Sequence, residues 1–121
     1  MSVTAFARAM QLLLQETGLP VYAGDSLPPG AQLPCLRWTG ALPVGRAPCE
    51  MQVHCLYEND SAECMHMLQL LQTLLPPQGC LLDLGCGYAL VCAAGAGTSR
   101  SGGGLMQGTV YVQVRLLPCG D

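Results

Sequence analysis

Apolar and polar positions alternate by two systems along this chain. Between Ser2 and Glu16 the residues Val3, Phe6, Ala7, Met10, Leu13 and Leu14 recur every three or four positions. That period puts them on one stripe of a helix, which Gly18 and Pro20 bring to an end. The segment VYAGDSLPPGAQLP is dense in turn formers and reads as a loop, and CLRWTGA, Cys35 to Ala41, reads as a short strand. From Cys49 to Glu58 the period changes to two. Cys49, Met51, Val53, Cys55 and Tyr57 face one way, while Glu50, Gln52, His54 and Glu58 face the other with Leu56 as the apolar exception. This is a strand with one face in a core and one toward water or a partner, so His54 is expected to point outward.

A second helix follows, with Asp60 and Glu63 spaced as in a capping box. Cys64, Met67, Leu68, Leu71, Leu74 and Leu75 form its stripe, and Pro76-Pro77 stop it. A third strand is expected within Cys80 to Ala94, and a fourth over Gly108 to Leu117, where Val110, Val112, Val114 and Leu116 share a face. GAGTSRSGGG between them reads as a flexible loop. The order α-β-β-α-β-β predicts an α+β domain: a four-stranded, mainly antiparallel sheet with two helices packed on one face. At 121 residues the chain, 1–121, makes one domain.

Composition narrows the function classes. Only 11% of residues are charged, against about 25% in an average soluble domain, and the mean hydropathy is positive. Surface buried against other chains accounts for such a shortage. There is no Lys and only five Arg against eight acids, which argues against sequence-specific nucleic-acid binding. No apolar run approaches the roughly 20 residues of a membrane span, and the N-terminal segment lacks the pattern of a secretory signal. The eight cysteines do not suggest a disulfide scaffold, since Cys49 and Cys55 on one strand would stand about 20 Å apart. Cys80, Cys86 and Cys92 are likewise spaced as on a strand, and no CxxC occurs. Cysteine as a small buried hydrophobe in a reducing cytoplasm fits better.

LLDLGCGYAL, Leu81 to Leu90, is the stretch closest to chemistry. Asp83, Gly85, Cys86 and Gly87 resemble the S-adenosylmethionine turn of the methyltransferase family, with Ala89 in place of its last glycine. That turn leads from a strand into a helix and needs an acid about 20 residues on. Here glycines soon replace any helix, no Asp or Glu lies between Leu84 and Gly120, and 32 residues follow Ala89. A buried strand with a glycine bulge is the preferred reading. The Gly95–Gly104 stretch lacks the Lys of a phosphate loop, and neither His54 nor His66 pairs with a Cys at useful spacing. No catalytic, cofactor-binding or metal-binding residues are therefore assigned.

The whole layout resembles another family. A helix ending in TGLPVYAG, two strands of which the second is CEMQVHCLYEND, a helix with Ala62 near its start and a last strand GTVYVQVRLL look like the tail-terminator (tail-completion, or minor capsid) proteins of long-tailed bacteriophages. The resemblance implies a non-enzymatic virion protein without cofactor, assembled in the bacterial host cytoplasm. It implies a ring of six copies that stops polymerisation of the tail tube protein and offers a docking surface to the head-completion or neck protein, with the genome free to pass through. The segments TGALPVGRAP and AGAGTSRSGGG would be the partner-contact loops. Arg46 and Arg100 are their charges, and Thr98, Ser99 and Ser101 are candidate contacts beside them. Another neck protein, or a small α+β oligomerisation module, is the competing expectation.

Overall fold

The computed structural model describes residues 3–40, 43, 47–58, 60–85, 87–100 and 103–118. Helix α1, Val3–Gln15, buries Phe6, Met10 and Leu14, one residue per turn along a single stripe. It stops where the Thr17 hydroxyl donates to the Leu14 carbonyl at 2.9 Å and Gly18, at φ +83°, turns the chain away. Strand β1, Val21–Ala23, follows directly and runs parallel to β2, Cys35–Gly40. Strand β3, Cys49–Glu58, returns antiparallel to β2.

Helix α2, Ser61–Leu74, starts on the Asp60 cap, whose carboxylate accepts from the Glu63 amide at 3.0 Å. It buries Cys64, Met67, Leu68 and Leu71. Strands β4, Cys80–Asp83, and β5, Gly87–Arg100, form a hairpin, and β6, Leu105–Pro118, closes the sheet between β5 and β3.

The sheet corrects the expected architecture. Among the described residues it has six strands, not four, in the order β1-β2-β3-β6-β5-β4, forming a half-barrel that is mixed because β1 pairs parallel to β2. Two strands were invisible to periodicity. β1 is three residues long, and its place is set by backbone bonding such as Leu36 N to Pro20 O at 2.8 Å. The single strand expected within Cys80 to Ala94 is two, because Gly85 at φ +89° folds the chain back on itself. The Asp83 carboxylate accepts from the Gly85 amide at 2.8 Å, and the Leu84 amide donates to the Gly87 carbonyl at 2.9 Å. LLDLGCGYAL is thus a β-hairpin and not one bulged strand; Cys86 lies outside the described residues.

The supposed flexible loop is corrected too. Gly95 to Arg100 continue β5, paired residue by residue with Tyr111 to Met106 of β6. Glycine propensity disfavours a strand by at most about 1 kcal/mol per residue, and a full ladder to β6 outweighs it.

Both helices pack on the same sheet face. Phe6 meets Trp38 edge-to-face at 6.4 Å and 83°, and Leu68 and Cys64 lie over Cys55 and Gly108. α1 also touches both outer strands, β1 and β4, across the open side of the half-barrel. Gln11 ties the closure: its amide donates to the Val21 carbonyl at 3.0 Å and its oxygen accepts from the Trp38 indole at 3.4 Å. Among the described residues no helix is long and apolar enough to cross a membrane.

Gly108 is the point of closest approach between α2 and the sheet. A Cβ there would stand 2.8 Å from Cys55 Sγ and 3.3 Å from a Leu68 methyl. Gly108→Ala is therefore expected to cost about 1–3 kcal/mol in urea unfolding. Adding Cys55→Ala, which removes the nearest atom, should return part of that loss, so the pair should be non-additive. Strict additivity would show that the helix does not rest on Gly108.

Candidate interaction surfaces

Two zones lie on the outer face of the sheet, away from both helices, and a third lies at the far end of β5. At the β4–β5–β6 end, Leu81, Tyr88, Leu90 and Leu117 are cross-strand neighbours: Leu81 pairs with Leu90, and Tyr88 with Leu117. Leu81 is 58% exposed and Tyr88 43%, with Leu117 exposed beside them. Period-two alternation predicts polar residues here, yet three of these apolar side chains are exposed and Leu90 is half-buried on one sheet face. Sequence reading missed this zone because it placed Leu81, Tyr88 and Leu90 in one bulged strand and Leu117 in the separate strand Gly108 to Leu117.

The middle zone is polar and partly closed. A cavity of about 590 Å³ is lined by Asp25, Thr39, Glu50, Gln52, Tyr111 and Gln113. The Thr39 hydroxyl donates to Asp25 at 2.5 Å, and Arg37 donates to the Gly24 carbonyl at 2.8 Å. Beside it His54, expected to face outward into solvent, is 4% exposed. Its Nδ1 lies 2.8 Å from the Thr109 hydroxyl and 3.2 Å from the Gln107 amide nitrogen. Gln107 Nε2 can only donate, so Nδ1 is the acceptor and the ring is neutral with its proton on Nε2. Burial, with the Arg37 charge adding to it, lowers its pKa from 6.5 to about 4. The alternation of β3 gave the correct face, but the residues that cover His54 come from β6, more than fifty positions away.

The third zone, the far part of β5, shows side chains on both sheet faces, Thr98 and Arg100 on the helix side and Ser99 on the outer side. Thr98, Ser99 and Arg100 are exposed on this strand, opposite Gly108, Gln107 and Met106. Arg46 and Ser101, the other candidate contacts, lie outside the described residues. The structure therefore brings three of the five candidates together, on a strand rather than a loop.

Four of the described cysteines are less acidic than a free thiol. Burial raises the pKa of Cys35, Cys49 and Cys80, and that of Cys55 is pushed up to about 12 by burial and by the neighbouring Cys64. Cys55 and Cys64 are free thiols 3.9 Å apart, a contact between strand and helix that spacing along the chain did not reveal. Among the described residues no three His, Cys, Asp or Glu side chains are grouped to hold a metal ion. The turn that resembles the methyltransferase motif joins two antiparallel strands, so the strand-to-helix geometry such a turn requires does not occur there.

No family model and no curated protein matches the chain. Among solved structures, one of a protein designated only by a number is similar, with a TM-score of 0.73 at 17% identity, covering 100% of this chain and 99% of that one. At that identity the likeness shows the fold alone.

His54 makes stability depend on pH with a definite sign. Its folded pKa, about 4, lies below the unfolded value of about 6.5, so between the two the unfolded chain binds more protons. Stability is complete above pH 6.5 and is lost as the pH falls toward 4, by on the order of 2 kcal/mol after allowance for water at the rim of the sheet. Urea midpoints across that range should fall with pH in the native chain and flatten in His54→Gln.

Proposed function

We propose that this protein is a structural subunit of a phage virion, forming a six-membered ring that caps the tail tube, ends its polymerisation and receives the head. The observation that carries the reading is the exposed apolar sheet zone of Leu81, Tyr88, Leu90 and Leu117. A ring needs a heterologous contact, one patch against a different patch on the neighbour, repeated until it closes. That zone lies on the face opposite the helices, while α1 and α2 expose Leu12, Met65 and Leu70 on the far side. Two unlike apolar surfaces on one small, weakly charged domain suit such a contact. Arg100, exposed at the end of β5, is placed to meet an acid on the tube or neck protein. In this reading the assembled protein sits in the virion, at the junction of tail and neck.

Purified protein added to polymerising tail tubes should appear in negative-stain images as a six-fold ring at one end and should fix tube length. Leu81→Asp, which puts a charge into the apolar zone without touching the core, should abolish capping while leaving the fold intact by circular dichroism. Tubes that grow without length control in the presence of the native chain would refute the reading. For the enzyme alternative, calorimetry with S-adenosylmethionine should show no heat of binding; micromolar affinity would reverse the assignment.

A further inference from the structure

We propose that the far part of β5, Ala94–Arg100, is a strand-addition site whose occupant is the same strand of a second copy of this chain. β4 covers β5 only over Tyr88–Val91, and the Ala93 amide is taken by the Pro76 carbonyl at 3.3 Å. Beyond Ala93 no strand of the described residues lies beside β5 on that side.

The direction of the backbone groups follows from the ladder. Leu84 N bonds Gly87 O, so Gly87, Ala89 and Val91 turn their N–H and C=O toward β4, and the even-numbered residues turn theirs toward β6. Ala93, whose amide reaches Pro76, keeps this pattern. The register shift between Ala93 and Gly95 inverts it. From there Gly95, Gly97 and Ser99 bond to β6, while the N–H and C=O groups of Ala96, Thr98 and Arg100 point out from the sheet edge. These are six strong hydrogen-bonding groups in extended geometry.

The chain does nothing to block that edge. Natural sheets protect edges with Lys, Pro, inward charges or a covering element. Ala94 to Ser99 contain only Ala, Gly, Thr and Ser, and a Cβ at Gly97 would meet open space. The other side of the sheet is not comparably open, because α1 lies against both β1 and β4 and Gln11 occupies the Val21 carbonyl. The matching edge that a second copy presents is therefore this one.

The edge is also complementary to itself. An antiparallel pair centred on Gly97 sets Ala96 opposite Thr98 of the second copy on both sides of the two-fold axis. All four residues are of the outward-bonding kind, so their donors and acceptors match. Gly97 faces Gly97, where an antiparallel pair brings Cα atoms to about 4.5 Å, and no side chain obstructs it. A polar ring cannot contain this two-fold pair. The paired form is thus the protein before it reaches a tube, with its edge sheltered from aggregation, and it stands whether or not the ring reading holds.

Light scattering on the pure full chain from micromolar to millimolar concentration, with amide hydrogen exchange, tests the proposal. The expected result is a dimer whose Ala96, Thr98 and Arg100 amides become protected as concentration rises. Gly97→Lys, which sets two like charges across the axis, should weaken dimerisation by about tenfold or more with the monomer fold unchanged. Thr98→Pro, which removes an outward N–H and spares the ladder to β6, should do the same and guards against a folding defect in the first variant. A chain that stays monomeric, protection that appears only when another protein is added, or any association that survives both substitutions overturns the proposal.

Discussion

The structure depends on β6 being paired on both sides, to β3 over Leu105–Val114 and to β5 over Met106–Pro118. The strands β1, β2 and β3 form one group and β4 and β5 another, and among the described residues no ladder joins the groups except through β6. Its inward residues Val110, Val112 and Val114 are buried against Val53, Met51 and Cys49 on one side and Ala96, Ala93 and Val91 on the other. α2 rests on β3 and β6 together, through Cys64 and Leu68 over Cys55 and Gly108. The element that unifies the fold is thus the last one, and its partner β3 lies about fifty residues earlier, a pairing of high sequence separation that is slow to form.

Much of this was legible, for reasons specific to each element. The stripe of Phe6, Met10 and Leu14 and the alternation of Cys49 to Tyr57 are long enough for period to decide the type. Asp60 was recognisable as a cap because its bond is local. What escaped was everything fixed by a distant partner. β1 is too short to show a period, and its bonds go to β2. Gly95 to Arg100 have loop composition, yet β6 supplies the ladder that makes them a strand. His54 lay on the correct side of β3, but an outward face is not always wet, and Thr109 and Gln107 enclose it. The tight turn at Gly85 split what looked like one strand and so hid the Leu81–Leu90 and Tyr88–Leu117 pairs, the strongest surface feature of the molecule.

The same hairpin explains why the candidate contacts fall where they do. β4 is four residues long and β5 fourteen, so the hairpin is lopsided: near its turn both strands show apolar side chains outward, and past β4 only backbone is on offer. The register shift at Ala93 and Gly95 marks the change. Before it, β5 alternates into the core through Ala89 and Val91; after it, the side chains are small and exposed. One end of the strand thus presents side chains and the other presents main-chain groups unpaired among the described residues.

The absence of lysine gives this arrangement its force. A sheet edge in a soluble domain stays unpaired mainly because a charge or a proline makes pairing costly. This chain has no lysine to place there, and β5 has no proline. The bulge twists the strand only at its start, leaving regular pairing from Gly95 to Arg100. Arg100 stands at the end of the run, too far along to obstruct its middle. An edge with this chemistry would be an aggregation liability in a molecule meant to remain alone, whereas in a subunit meant to assemble it is a site waiting for a strand. On the proposed reading, the low charge of the chain and its open edge are two expressions of one requirement, that most of this surface be covered by other protein.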